Sequence, residues 1–97
     1  MNAAILAAIQ NHSRLQLVYD WGNRIVEPHA YGVGAEGQEL LRAYQTTGAS
    51  QSGESRGWKL FRLDEIESIH VLRETFARPR PGYRPNDRAM SRIYAQL

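Results

Sequence analysis

The chain has 97 residues, enough for one small domain with a single modest core and too few for two. Apolar residues make up 42% and charged residues 23%, ordinary for a soluble globular chain, and the lack of cysteine excludes a disulfide framework and a thiolate zinc site. The net charge of +2 hides a split, since residues 1–72 hold six Lys/Arg against eight Asp/Glu and residues 73–97 hold six Arg against two acids.

Asn2 can cap a helix over residues 3–11, where Ile5, Leu6 and Ile9 form one apolar stripe. Arg14 to Tyr19 alternates partly and ends in the turn cluster Asp20-Trp21-Gly22-Asn23. Arg24 to Val33 resumes as a strand. Pro28 cannot donate to a ladder, so this strand is expected at an edge or bulged there. Gly34-Ala35-Glu36-Gly37 turns the chain into Leu40 to Tyr44, and a second short strand follows at Trp58 to Leu63. In that second run Lys59, Phe61 and Leu63 share one face, and Trp58, Leu60 and Arg62 the other.

Residues 45–57 form a polar, Gly- and Ser-rich loop longer than a hairpin needs, read either as a mobile, ligand-covering loop or as a surface insertion. Leu63 to Ile66 reads as a tight turn or one helical turn, and Ile66 to Leu72 as a last strand. From Phe76 to Pro85 three prolines predict an extended arm. Asn86 is placed to cap a helix over 87–97, with Met90, Ile93, Tyr94 and Leu97 at helical spacing. The predicted fold is mainly β (α+β). It is a five-stranded bent sheet or barrel with an N-terminal helix, over residues 1–75, and a C-terminal arm ending in a short helix, over 76–97.

No apolar run approaches the roughly 20 residues that span a bilayer. No basic segment precedes the apolar start, so a signal peptide is not expected and a cytoplasmic location is. Gly32 to Gly37 matches G-x-G-x-x-G, but the strand-like residues that follow open no helix, so it reads as a hairpin turn. His12, His29 and His70 lack partners at metal spacing. Ser50, Ser52 and Ser55 have no sequence-visible base, and Asp64, Glu65 and Glu67 read as a solvated acidic face. The expected function is therefore binding without catalysis, cofactor or metal.

The pattern Leu17-Val18-Tyr19, Arg24-Ile25-Val26-Glu27-Pro28, Leu41-Arg42-Ala43-Tyr44 and Phe61-Arg62-Leu63-Asp64-Glu65-Ile66, followed by Phe76 and Tyr83, resembles a WYL domain. That family places a helix before a small Sm-like or SH3-like barrel in bacterial regulators. Here the naming triplet falls on Glu39-Leu40-Leu41, Glu65 replaces a basic residue, and Lys59 stands where arginine is usual. No helix-turn-helix precedes the domain, so the resemblance is to a divergent, stand-alone member.

The resemblance implies a ligand-sensing or nucleic-acid-binding module in regulation, including defence-system regulation. The partner would be a nucleotide or single-stranded nucleic acid, with a separate DNA-binding or defence-system protein as a further partner. The matching ligand-face positions are Tyr19, Arg24, Tyr44, Lys59 and Arg62. The tyrosines stand either as stacking planes or as half-buried barrel residues, and the cations as phosphate or carboxylate ligands or as partners of nearby acids. Arg78, Arg80, Arg84, Arg88 and Arg92 are candidate nucleic-acid or partner contacts, because guanidinium suits bidentate phosphate binding. The alternative function is a protein–protein module, a homo-oligomer whose arm docks on a neighbouring subunit.

Overall fold

The computed structural model describes residues 1–50 and 53–97. Helix α1 (Ala3–Asn11) is followed by six antiparallel strands, β1 (Ser13–Tyr19), β2 (Gly22–Val33), β3 (Glu39–Gly48), β4 (Gly57–Arg62), β5 (Ile66–Thr75) and β6 (Arg92–Gln96). A 3-10 turn, Leu63–Glu65, joins β4 to β5. The strands form one open sheet in the order β4-β3-β2-β1-β5, with β6 paired to β2 off that path. Among the described residues no helix is long and apolar enough to cross a membrane.

Asn2 caps α1 as its sequence position predicts, accepting the Ile5 N–H at 3.0 Å. Ile5, Ala8 and Ile9 are the buried stripe, and they pack with Leu15, Leu17, Val26, Tyr31, Leu41, Ala43 and Phe61. The sheet curls over this core. Phe61 on β4 meets Tyr19 on β1, ring centroids 5.0 Å apart, although two strands lie between them in the path. At the β1–β2 hairpin, Asp20 and Trp21 both have positive φ, 52° and 63°, the combination whose twist suits a two-residue turn.

Pro28 sits where β2 changes partner. The β1 ladder ends at Val26, the β6 ladder begins at Ala30, and the β3 register slips between Pro28 and Ala30. The proline's missing N–H therefore falls in a gap between ladders, the bulge expected of it.

The C-terminal segment corrects the sequence reading. Residues 87–97 are not a helix, and the sheet has six strands rather than five, because Arg92–Gln96 pairs with Val33–Ala30. The reason is the unpaired edge that β2 leaves beyond Pro28. A helix of about eleven residues is marginal alone, whereas the tail as a strand satisfies that edge and covers Ala30 and Tyr31, both fully buried. Met90 is buried in a second, smaller cluster with Ala30 and Leu40, apart from the main core. Asn86 does not cap a helix. It has φ 62° and exchanges two hydrogen bonds with Gln96.

The arm is not extended throughout, since Pro81 and Gly82 form a turn closed by the Tyr83 N–H to the Arg80 carbonyl at 3.1 Å, with bends at 77–78 and 85–86, and it packs on its own chain. Trp58 Nε1 donates to the Pro81 carbonyl at 3.1 Å, and Tyr83 OH donates to the Leu97 carbonyl at 3.0 Å.

Candidate functional site

Strand parity sorts the expected ligand residues onto two faces. On β3, Leu41, Ala43 and Gln45 face the core, opposite Phe61, Lys59 and Gly57 of β4. Arg24 and Val26 of β2 share this inner face, opposite Leu17 and Leu15. Tyr44 pairs with Glu27 and Trp58 on the outer face, and Arg62 follows Phe61 onto that side.

The inner face brings Tyr19, Arg24 and Lys59 to one end of the curl. Arg24 is only 4% exposed. Its guanidinium carbon lies 5.0 Å from the Tyr19 ring centroid and 5.7 Å from that of Phe61. Its Nη1 donates to Gln45 Oε1 across a long 3.5 Å, and its Nε is buried without a partner. No carboxylate of the described residues pairs with it.

Gln45 and Lys59 bind the loop above this cation. Gln45 Nε2 donates to the carbonyls of Ala49 (2.8 Å) and Ser55 (3.0 Å). Lys59 Nζ donates to Ser50 Oγ (3.1 Å) and the Glu54 carbonyl (2.8 Å). The ligand-covering role assigned to residues 45–57 falls in part on residues 51 and 52, which lie outside the described residues. Tyr19 OH donates to Glu65 at 2.8 Å. Burial, then this bond to an acid, raises the phenol above its ordinary value.

Arg62 does not join the set. It is exposed on the outer side and holds Asp64, Nη2 to Oδ2 3.0 Å, and that bond raises its pKa further. Tyr44 also lies elsewhere, beneath the Arg80 guanidinium at 4.7 Å and beside Trp58 at 5.5 Å. The five expected ligand residues therefore divide into an inner group of three, one outer aromatic and one exposed ion pair.

The arm arginines also differ among themselves. Arg80 closes on the fully buried Glu27, which Arg14 also grips at 2.9 Å. Burial pushes the Glu27 carboxyl up, but the bonds from Arg80 and Arg14 outweigh it and hold its pKa below the ordinary value. Beside this pair lies His29, also fully buried. Its Nε2 accepts the Arg80 backbone N–H at 3.0 Å, so Nδ1 carries the proton donated to the Glu27 carbonyl at 2.8 Å. Arg78, Arg84, Arg88 and Arg92 are exposed and have no side-chain partner among the described residues.

Gln45, Glu27 and His29 are structurally central and are not among the expected site residues, His29 being weighed there only as a metal ligand. Gln45 had a signal, since it follows Leu41 and Ala43 at the inward parity of a buried strand. Among the described residues, no group of three His, Cys, Asp or Glu is placed to hold a metal ion. No protein-family model matches this chain, and neither curated proteins nor solved structures match it significantly.

Proposed function

We propose that this chain is a non-catalytic, ligand-sensing module that recognises the phosphate of a nucleotide or single-stranded nucleic acid at its inner face. In this reading it is a divergent WYL-like, SH3/Sm-like domain of cytoplasmic regulation. The N-terminal helix and the curled β4-β3-β2-β1-β5 path support that kinship.

One observation carries the functional reading, the uncompensated burial of Arg24. An ion this far from water costs several kcal/mol, as an order of magnitude, unless a countercharge meets it. Arg24 instead has two aromatic rings, one long bond to an amide and a spare Nε. An oxyanion entering from the loop side would supply the missing acceptors, with Lys59 as a second cation and Tyr19 as an aromatic plane.

The test is titration of a fluorescent single-stranded oligonucleotide against the wild type and Arg24→Met at several salt concentrations. Binding should weaken as salt rises, because phosphate contacts release counterions, and Arg24→Met should weaken it at least about tenfold. Salt-indifferent binding, or an Arg24→Met variant that binds like wild type, would overturn the reading.

A further inference from the structure

A second basic–aromatic site lies on the opposite face and does not depend on Arg24. Residues 82–88, with Arg42 of β3 and Trp58 of β4, line a half-open hollow of about 550 Å³ whose walls include Tyr83, Arg84, Asp87 and Arg88. Small-molecule sites fall in this size range, about 300–1,000 Å³.

The hollow is built rather than left over. Its rim has no regular secondary structure, yet both ends are fixed. At one end Gly82 adopts φ 91° against the indole, where a Cβ would lie 3.1 Å from Trp58 Nε1. Tyr83 stacks on Trp58 at 6.2 Å and 25°. At the other end Asn86 is clasped by Gln96, and Asp87 by Arg42 with Nε to Oδ2 2.6 Å. The Arg42 bond, with a further one from the Ala89 N–H, holds the Asp87 carboxyl below its ordinary value, so Arg42 and Asp87 cancel in charge.

What remains is Arg84 and Arg88. Both are exposed, and neither has a carboxylate among the described residues. The walls thus combine an indole and a phenol, stacked on each other, with two guanidinium forks that have no carboxylate among the described residues. A planar ring carrying a phosphate suits both kinds of group. We infer that this hollow is a binding site for a nucleoside 5′-phosphate, the ring lying against Trp58 and Tyr83 and the phosphate held by Arg84 and Arg88. The same chemistry occurs in a free mononucleotide and at the 5′ end of a strand.

Trp58 reports the site directly. The other tryptophan, Trp21, is 91% exposed on the β1–β2 turn, so Trp21→Phe leaves Trp58 as the sole indole without disturbing the core. In that background, adenosine 5′-monophosphate should quench Trp58 emission saturably. The double variant Arg84→Gln/Arg88→Gln should weaken it at least about tenfold, because two charge-assisted contacts are lost. Its melting temperature should not change, since neither arginine holds a partner, and Arg24→Met should leave the quench intact. This last control separates failure here from failure of the inner-face reading.

Competition then names the source. Displacement of the mononucleotide by a 5′-phosphorylated oligonucleotide identifies strand ends as ligands, and failure to displace identifies the free nucleotide. No saturable quench, an equal response to adenosine or to inorganic phosphate alone, equal displacement by an unphosphorylated oligonucleotide, or an undiminished response in the double variant would each overturn the proposal.

Discussion

Arg80 closes on Glu27 from 53 residues away in sequence, with Nε to Oε1 at 2.6 Å and Nη2 to Oε2 at 3.0 Å. The carboxylate is fully buried, and its two arginines are about a third exposed or less. Removing one member of a buried ion group leaves the others uncompensated, at a cost of about 3 kcal/mol or more. Glu27→Gln keeps the shape and removes the charge, so urea unfolding should show a loss of that size. Trp58 emission should shift red as the arm loosens. A loss below about 1 kcal/mol, the level of a surface pair, would mean that the bridge does not hold the arm.

His29 places an acid-sensitive contact beside that bridge. Burial lowers its pKa below the ordinary 6.5, so the folded state binds the proton less readily than the unfolded chain. Its contribution to stability is fully present above pH 6.5 and is lost as pH falls through the lowered folded value. Protonation also removes the Nε2 acceptor of the Arg80 N–H. Glu27 acts in a lower window. Its contribution is present above its ordinary 4.5 and lost as pH falls through its own lowered value. The melting temperature should therefore fall from pH 7 towards pH 5 in the wild type and stay flatter in His29→Gln. Parallel curves would place the sensitivity elsewhere.

Arg24 offers a stability prediction opposite in sign to that for Glu27. Replacing a buried ion by an apolar side chain of similar length is often neutral or stabilising by about 1–4 kcal/mol. Arg24→Met should hold or raise the urea midpoint, with Tyr19 and Phe61 packing on the thioether. A drop of several kcal/mol would show that the guanidinium is a structural element, satisfied by its rings and Gln45.

Local chemistry made much of this fold legible. The Asn2 cap, the Asp20–Gly22 turn, the Pro28 bulge and the 3-10 turn at Leu63 each follow from a residue's own backbone preference. The burial of Arg24 was not legible, because it depends on β2 facing inward beneath the curl of β4. Nor was the fate of the arm arginines. Arg80 and Arg84 are four residues apart and chemically identical, yet only Arg80 meets a buried carboxylate, through a contact spanning half the chain. The resemblance sets Tyr19, Arg24, Tyr44, Lys59 and Arg62 on one ligand face, whereas the fold separates Tyr44 and Arg62 from the other three. The parity of Trp58 to Leu63 was legible, and it puts Arg62 on the face opposite Lys59 and Phe61.

The misread tail supplies the last prediction. Met90, Ile93, Tyr94 and Leu97 fit a helical stripe, but Ile93 and Tyr94 suit a strand as well, and β2 supplies an open edge. Gly32 makes the two alternatives separable. A Cβ there would lie 2.3 Å from the Arg92 carbonyl oxygen and 3.0 Å from Met90 Sδ, so β6 can pair only while this position is bare. Gly32→Val should displace β6, uncover Tyr31 and Ala30, and cost at least about 2 kcal/mol by overpacking and lost burial. Amide exchange at Ile93 and Ala95 should then approach that of an unfolded chain while β1 and β3 stay protected. If β6 amides stay protected in Gly32→Val, the tail is held by something other than its ladder to β2.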